Sequence, residues 1–190
     1  MKVNFQNSKF IKSAFSKKDH LEDYSQVLFI GKSNVGKSSL INALVGQKNL
    51  AYVSKKPGQT KLINYYLIDD KFYLVDAPGF GYRKLSYGKD EFDSMMEQYL
   101  VDNKNLKLIV YLVDSRRGMG HEEEEVIDFL NQLNYNFIIV FTKYDKLNQS
   151  EKSKLANLVK KLSLPKWIYT SINNLNSIQE LQKLIVSYLE

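Results

Sequence analysis

Eight consecutive residues, Gly31-Lys32-Ser33-Asn34-Val35-Gly36-Lys37-Ser38, fit the phosphate-binding pattern G-x-x-x-x-G-K-[ST]. Glycine at 31 and 36 lets the backbone turn tightly and approach a phosphate with no Cβ in the way. The loop N–H groups and the N-terminus of a following helix form an anion site. Lys37 supplies a compact positive charge for β- and γ-phosphates, and the Ser38 hydroxyl suits Mg²⁺. Further along, Asp76-Ala77-Pro78-Gly79 places a carboxylate where it can hold Mg²⁺ through a water, with the Gly79 N–H facing a γ-phosphate. Thr142-Lys143-Tyr144-Asp145 adds a base contact. Guanine presents N1–H and its exocyclic amine side by side, and one carboxylate accepts both; adenine has no such pair. Asp145 is that acceptor, and the Lys143 stem covers a base face. Charge-assisted bonds contribute about 1.5–3 kcal/mol each, so two favour guanine by about a hundredfold or more.

Other positions complete the candidate set. Ser39 and Lys146 extend the loop and the base motif, and Thr170-Ser171-Ile172 offers backbone N–H groups to the guanine O6. Thr60, flanked by Pro57, Gly58 and Gln59, is a candidate γ-phosphate sensor. Its hydroxyl reaches Mg²⁺ only when its loop folds over GTP, an order–disorder switch. Lys37, Thr60 and Gly79 are therefore the candidate catalytic positions, and Ser38, Thr60 and Asp76 the candidate Mg²⁺ ligands.

These residues need strand ends to hold them. Val27–Ile30 is a short apolar run that reads as a buried strand, and Ser39 to Val45 reads as a helix ended by Gly46. Residues 47–60 carry loop signals. Leu62–Ile68 and Phe72–Val75 form a hairpin across Asp69-Asp70-Lys71, and Phe80 to Gly88 is a glycine-rich basic loop. Asp90–Val101 is a helix with Phe92, Met95, Met96, Tyr99 and Leu100 on one face. Leu106–Val113, Phe137–Phe141 and Trp167–Tyr169 are strands, alternating with helices His121–Leu133 and Ser150–Leu162. The Glu122–Glu125 run reads as first-turn carboxylates favoured by the helix dipole rather than a metal cluster. A last helix opens on a capping box, Ser177 with Glu180. The alternation predicts an α/β fold: a mostly parallel six-stranded sheet, one antiparallel edge strand from the hairpin, and helices on both faces. Residues 1–23 read as an arm packed on a domain spanning 24–190. Ligands of such sheets bind at the carboxyl ends of strands, where the phosphate loop, Asp76, Asp114, Thr142 and Thr170 all fall.

The 190 residues are 44% hydrophobic and 13% aromatic, enough for one globular domain. The absence of cysteine excludes disulfides, thiolate metal sites and cysteine nucleophiles, and it suits a reducing cytoplasm. Met1 to Lys18 carries five lysines but no continuous apolar core, unlike a signal peptide, and no apolar run is long enough to span a bilayer. The net charge of +6 favours an anionic partner, with nucleic acid first and a generally lysine-rich surface second. His20 and His121 read as surface residues.

The order of the five motifs resembles the signature of the translation-factor class of GTPases. Gly31 to Leu44, Lys56-Pro57-Gly58-Gln59-Thr60 and Asp76 to Tyr82 closely resemble the EngB (YihA/YsxC) family of bacterial GTPases, over nearly the whole chain. The resemblance implies a P-loop G domain that binds GTP and GDP with Mg²⁺. It also implies a cytoplasmic monomer that assembles the large (50S) ribosomal subunit and is linked to growth, division and septation, with neither DNA nor a membrane span involved. Arg83-Lys84 beside the nucleotide loop is consistent with rRNA contact. In related GTPases the loop asparagine helps hold K⁺, which makes Asn34 a candidate K⁺ ligand. Thr142 replaces the usual Asn, Gln59 a common Arg, and Thr170-Ser171 the usual Ser-Ala. Phe80 stands where many small GTPases have a water-orienting glutamine. It neither donates nor accepts, so the expected turnover is slow and stimulated by K⁺ or by the ribosome. Two other readings share the phosphate loop: a GTP-binding scaffold with negligible turnover, and a nucleotide kinase, which would not need Asp145.

Overall fold

The computed structural model describes residues 1–52, 62–80, 91–162 and 164–190. Its strands are β1 (Ser8–Ala14), β2 (Ser25–Gly31), β3 (Ile63–Ile68), β4 (Phe72–Asp76), β5 (Leu106–Asp114), β6 (Phe137–Thr142) and β7 (Trp167–Tyr169). The helices are α1 (Lys37–Val45), α2 (Glu91–Leu100), α3 (His121–Gln132), α4 (Gln149–Lys161) and α5 (Leu175–Ser187). Pro57, Gly58, Gln59, Thr60, Arg83 and Lys84 lie outside the described residues.

Side chains of the central strands alternate between two cores because both faces of the sheet are covered. Leu28 and Ile30 of β2, with Ile109, Tyr111 and Val113 of β5, enter the core beneath α2, α3 and α4. Val27 and Phe29, with Leu108, Val110 and Leu112, enter the opposite core beneath α1 and α5. The helices complete these cores at helical spacing: Met95, Met96 and Tyr99; Val126, Ile127 and Leu130; Leu155 and Val159 on one side; Leu40, Ile41 and Leu44, then Ile178, Leu181 and Ile185, on the other.

The sheet order is β1-β3-β4-β2-β5-β6-β7. It holds seven strands rather than six, because the N-terminal arm contributes β1. β1 pairs antiparallel with β3, from Ser8↔Ile68 to Ala14↔Ile63, so the one reversed strand lies next to the edge. Periodicity misses β1, since its Phe10 and Ile11 are adjacent and the register shifts between Phe10 and Lys12. The hairpin turn pins the arm. The Asp69 carboxylate accepts from Asn4 N (3.1 Å) and Asn7 Nδ2 (3.2 Å).

Two local expectations change. Helix α5 is capped by Asn174, whose Oδ1 accepts from Ser177 N at 3.1 Å. An asparagine one turn earlier is as good a cap as Ser177, so the helix starts there. His20 is half-buried against Tyr99, with ring centroids 5.3 Å apart, and burial pulls its pKa below the usual histidine value. His121 does lie at the surface, 3.8 Å from Glu125. Among the described residues no group of three or more His, Cys, Asp or Glu is placed to hold a metal ion. Among the same residues no helix is long and apolar enough to cross a membrane.

Candidate nucleotide site

Five strand ends converge. β2 runs into the phosphate loop, whose turn is held by left-handed backbone at Asn34 (φ 64°) and Gly36 (φ 103°). Gly36 caps α1, so the helix begins at Lys37, two residues before the periodic pattern suggests. Gly31 is confined as well: a Cβ there would meet Val35 Cγ1 at 2.9 Å and the Leu112 carbonyl at 3.1 Å.

At the phosphate end, the buried Lys37 ammonium pairs with the Asp76 carboxylate. The Ser38 hydroxyl donates to the other Asp76 oxygen at 3.3 Å. The Asp76 carboxylate thus joins the ammonium meant for phosphate on one oxygen and the Ser38 hydroxyl on the other. Beside it, Ser33 N donates to the Phe80 carbonyl (2.9 Å) and Phe80 N to the Gly31 carbonyl (3.2 Å). This bridge ties the segment after Asp76 to the loop. It also explains Gly79, where a Cβ would sit 3.0 Å from Ser33 Cα. The Phe80 ring is buried and stacks on Tyr111 at 6.4 Å, inside the core.

Lys32 points away from the loop. Its ammonium pairs with both Glu122 and Glu123 at the start of α3. Burial opposes the charge, but the two carboxylates outweigh it and hold the Lys32 pKa above its ordinary value. Its side chain is therefore a tether between loop and helix, and only its backbone faces a phosphate. The first-turn glutamates have a partner as well as the helix dipole.

At the base end, Thr142 Oγ1 donates to the Val35 carbonyl at 2.8 Å, which ties the end of β6 to the phosphate loop. Thr142→Val leaves that buried carbonyl without its donor. The expected cost is about 1–3 kcal/mol, read as a lower urea midpoint together with weaker GDP binding. Lys143, in left-handed backbone, donates to the Asn34 carbonyl (2.7 Å) and to Asp114 Oδ2 (2.9 Å), so its stem spans the loop. Asp145 is exposed, 3.2 Å from Asn173 Nδ2 and 3.4 Å from Lys146 Nζ. Burial, the largest single influence, raises its pKa, but the hydrogen bonds from Ser171, Asn173 and Lys146 together prevail and keep it below the ordinary carboxylate value. Ser171 is itself fixed, its N–H donating to Ser177 Oγ at 3.1 Å. A cavity of about 250 Å³ opens between these residues and α1, lined by Gly36, Ser39, Leu40, Thr142, Lys143, Asp145, Lys146, Thr170, Ile172 and Asn173. Pockets for whole drug-sized ligands run about 300–1,000 Å³, so this one suits a single base.

Asn173, which lines the base cavity, is the residue that motif spacing passes over, and Asp114, expected only as a strand-end position, gathers two cations. Asp114 takes a bidentate contact from Arg116 (3.0 and 2.7 Å) in addition to Lys143. Burial alone would raise its carboxyl; the hydrogen bonds from Arg116 and Lys143 bring it instead to about 2. Since the folded pKa lies below the unfolded 3.8, this stabilisation is complete above about pH 4 and is lost as pH falls through 2. Asp114→Asn should flatten that part of a urea-midpoint-against-pH curve, while lowering stability at neutral pH. An unchanged acid limb would show that the carboxylate is not coupled to folding.

The sequence model of a family described as "50S ribosome-binding GTPase" matches residues 26–143. The chain is 39% identical over 193 aligned residues to a probable GTP-binding protein EngB of Clostridium botulinum, covering 98% of each. It is 46% identical over 154 residues to a probable GTP-binding protein EngB of Mycoplasmopsis synoviae, covering 80% of this chain and 82% of that one. Among solved structures, a crystal structure of a probable GTP-binding protein EngB superposes with a TM-score of 0.64 at 25% identity, covering 87% of this chain and 98% of that one. Era in complex with MgGDPNP and a 16S ribosomal RNA segment superposes with a TM-score of 0.65 at 27% identity, covering 90% of this chain and 58% of that one.

Proposed function

Because this chain belongs to the EngB family of GTP-binding GTPases, we propose that it is a nucleotide-gated assembly factor for the large ribosomal subunit, slow to hydrolyse GTP on its own. Binding and hydrolysing GTP follow from membership and remove the nucleotide-kinase reading. Ribosomal action, rate, cytoplasmic location and monomeric state are the proposal.

The observation that carries the gate is the bridge between Phe80 and the phosphate loop. Lys37 exchanges Asp76 for phosphate oxygens when a triphosphate arrives, and that exchange acts on a segment bonded directly to the loop. Gly79, packed on Ser33, carries the change to the residues that follow. Those residues and Thr60 are the proposed partner-facing surface. Ser38 and Asp76 are hard oxygen donors of the kind Mg²⁺ takes, and Thr60 is the third proposed ligand. Mg²⁺, when bound, neutralises charge on the β- and γ-phosphates. Asp145 orients the base, with Lys143 over its face and the Thr170–Ile172 backbone toward O6.

Slow turnover is supported by Phe80, whose ring lies in the core and offers the attacking water nothing. Asn34 is proposed as the side chain that holds K⁺ there. A scaffold with negligible turnover is the second reading that Phe80 favours.

One assay separates these readings: co-sedimentation with purified large and small subunits under GTP, GDP and a non-hydrolysable analogue, followed by single-turnover hydrolysis in K⁺ or Na⁺. The expected outcome is GTP-dependent binding to the large subunit and hydrolysis accelerated by K⁺ or by that subunit. Nucleotide-independent sedimentation refutes the gate. Turnover that stays negligible with subunits and K⁺ selects the scaffold.

A further inference from the structure

Beside the base-contact motif, the outer edge of the sheet carries a short ladder of aromatic rings. Tyr144 and Tyr169 stack with centroids 4.3 Å apart and planes 13° from parallel. Trp167, the chain's single tryptophan, follows at 4.9 Å from Tyr169. It lies on the outermost strand, β7, and remains 36% exposed. Lys152 of α4 holds its ammonium 5.1 Å from the centre of the Tyr144 ring. From Gln149 to Trp167 there are five lysines and one acidic residue, Glu151.

Of the other lysines, Lys9, Lys12, Lys32, Lys37, Lys71, Lys143 and Lys146 each pair with a carboxylate, while Lys2, Lys17, Lys18, Lys48, Lys104, Lys107 and Lys183 make no such pair among the described residues but lie scattered along the chain. Lys152, Lys154, Lys160, Lys161 and Lys166 make no such pair among the described residues, and the last four are exposed. Lys160 lies eight residues after Lys152, about 12 Å further along the axis of α4 and about 80° round it. A solvated helix face explains the charge but not the rings. Core packing explains Phe141, which is fully buried beneath Trp167 and Tyr169, but not a tryptophan left open beside unpaired ammonium groups.

We propose that this edge is a stacking site for single-stranded RNA, a base lying on the exposed Trp167, which the stacked tyrosines back, and phosphates held by Lys152, Lys160 and Lys166. Stacking on aromatic faces with lysines along the backbone is how single strands are held without sequence readout. A duplex has its base faces already occupied. The inference rests on the ribosomal reading above and adds to the nucleotide-gated surface a second contact, for RNA. Tyr144 stands between Lys143 and Asp145, so the platform adjoins the guanine contact in the chain itself.

Trp167 reports directly on the test. The full chain is titrated with oligoadenylate and oligouridylate of about 12 nucleotides, at about 100 mM salt, while tryptophan emission is followed. Saturable quenching is expected, tighter for the better-stacking adenylate and weaker at higher salt. The exposed-lysine variant K160E/K166E should bind about tenfold more weakly with an unchanged melting curve. Trp167→Phe should retain binding in a filter assay, and Trp167→Ala should lose about fivefold or more. No quenching, equal quenching by heparin, or wild-type affinity in K160E/K166E overturns the platform. Co-sedimentation keeps the two readings apart. A wild-type chain that sediments with large subunits no better than K160E/K166E also overturns the platform, while the ribosomal reading stands. A wild-type chain that does not sediment at all overturns the ribosomal reading, and the oligonucleotide titration still decides the platform.

Discussion

Asp145→Asn is expected to weaken GTP binding by about a hundredfold, the loss of two charge-assisted bonds to the guanine edge. Xanthosine triphosphate should bind that variant better than GTP, because an amide N–H₂ donates to the extra ring carbonyl that a carboxylate repels. Competition of both nucleotides against a fluorescent GDP measures this. The surroundings favour a clean result. The carboxylate is exposed, so the amide adds no buried unpaired group. Asn173 Nδ2, 3.2 Å away, can still donate to the amide oxygen. The melting curve should therefore hardly move. Unchanged GTP affinity would remove Asp145 from the base pocket.

Lys37→Ala should abolish triphosphate binding and also lower stability. In the structure its ammonium is the partner of the Asp76 carboxylate, and both are buried. Removing it leaves that carboxylate uncompensated, at a cost of about 3 kcal/mol or more. For a chain of this size that corresponds to about 6–12 °C in melting temperature. Adding Asp76→Asn should restore most of the melting temperature and none of the GTP binding. A double variant no more stable than Lys37→Ala would show that the ion pair is not the source of the loss.

Much of the site was legible because its chemistry is local. Gly31–Ser38, Asp76–Gly79 and Thr142–Asp145 are each short runs in which residue type and spacing state the ligand. The central strands were legible because burial on both faces leaves an uninterrupted apolar run. β1 was not. Most of this edge strand is exposed on both faces and its register shifts between Phe10 and Lys12, so no core imposes an apolar alternation on it. The cap at Asn174 was missed because Ser177 and Glu180 make an equally good local signal, and choosing between them depends on Ser171, which occupies the Ser177 hydroxyl.

What the sequence determined by itself is the inventory: a phosphate cradle, a carboxylate for guanine, an α/β order of elements and a basic surface. These depend on neighbours in the chain. The tertiary structure decided which partner each charge takes. Lys32 leaves the phosphate loop for Glu122 and Glu123, Asp114 gathers Arg116 and Lys143, and Phe80 turns into the core while its backbone bridges to the loop. Such pairings join residues far apart in sequence, and their strength depends on burial and on competing partners, which the fold alone sets.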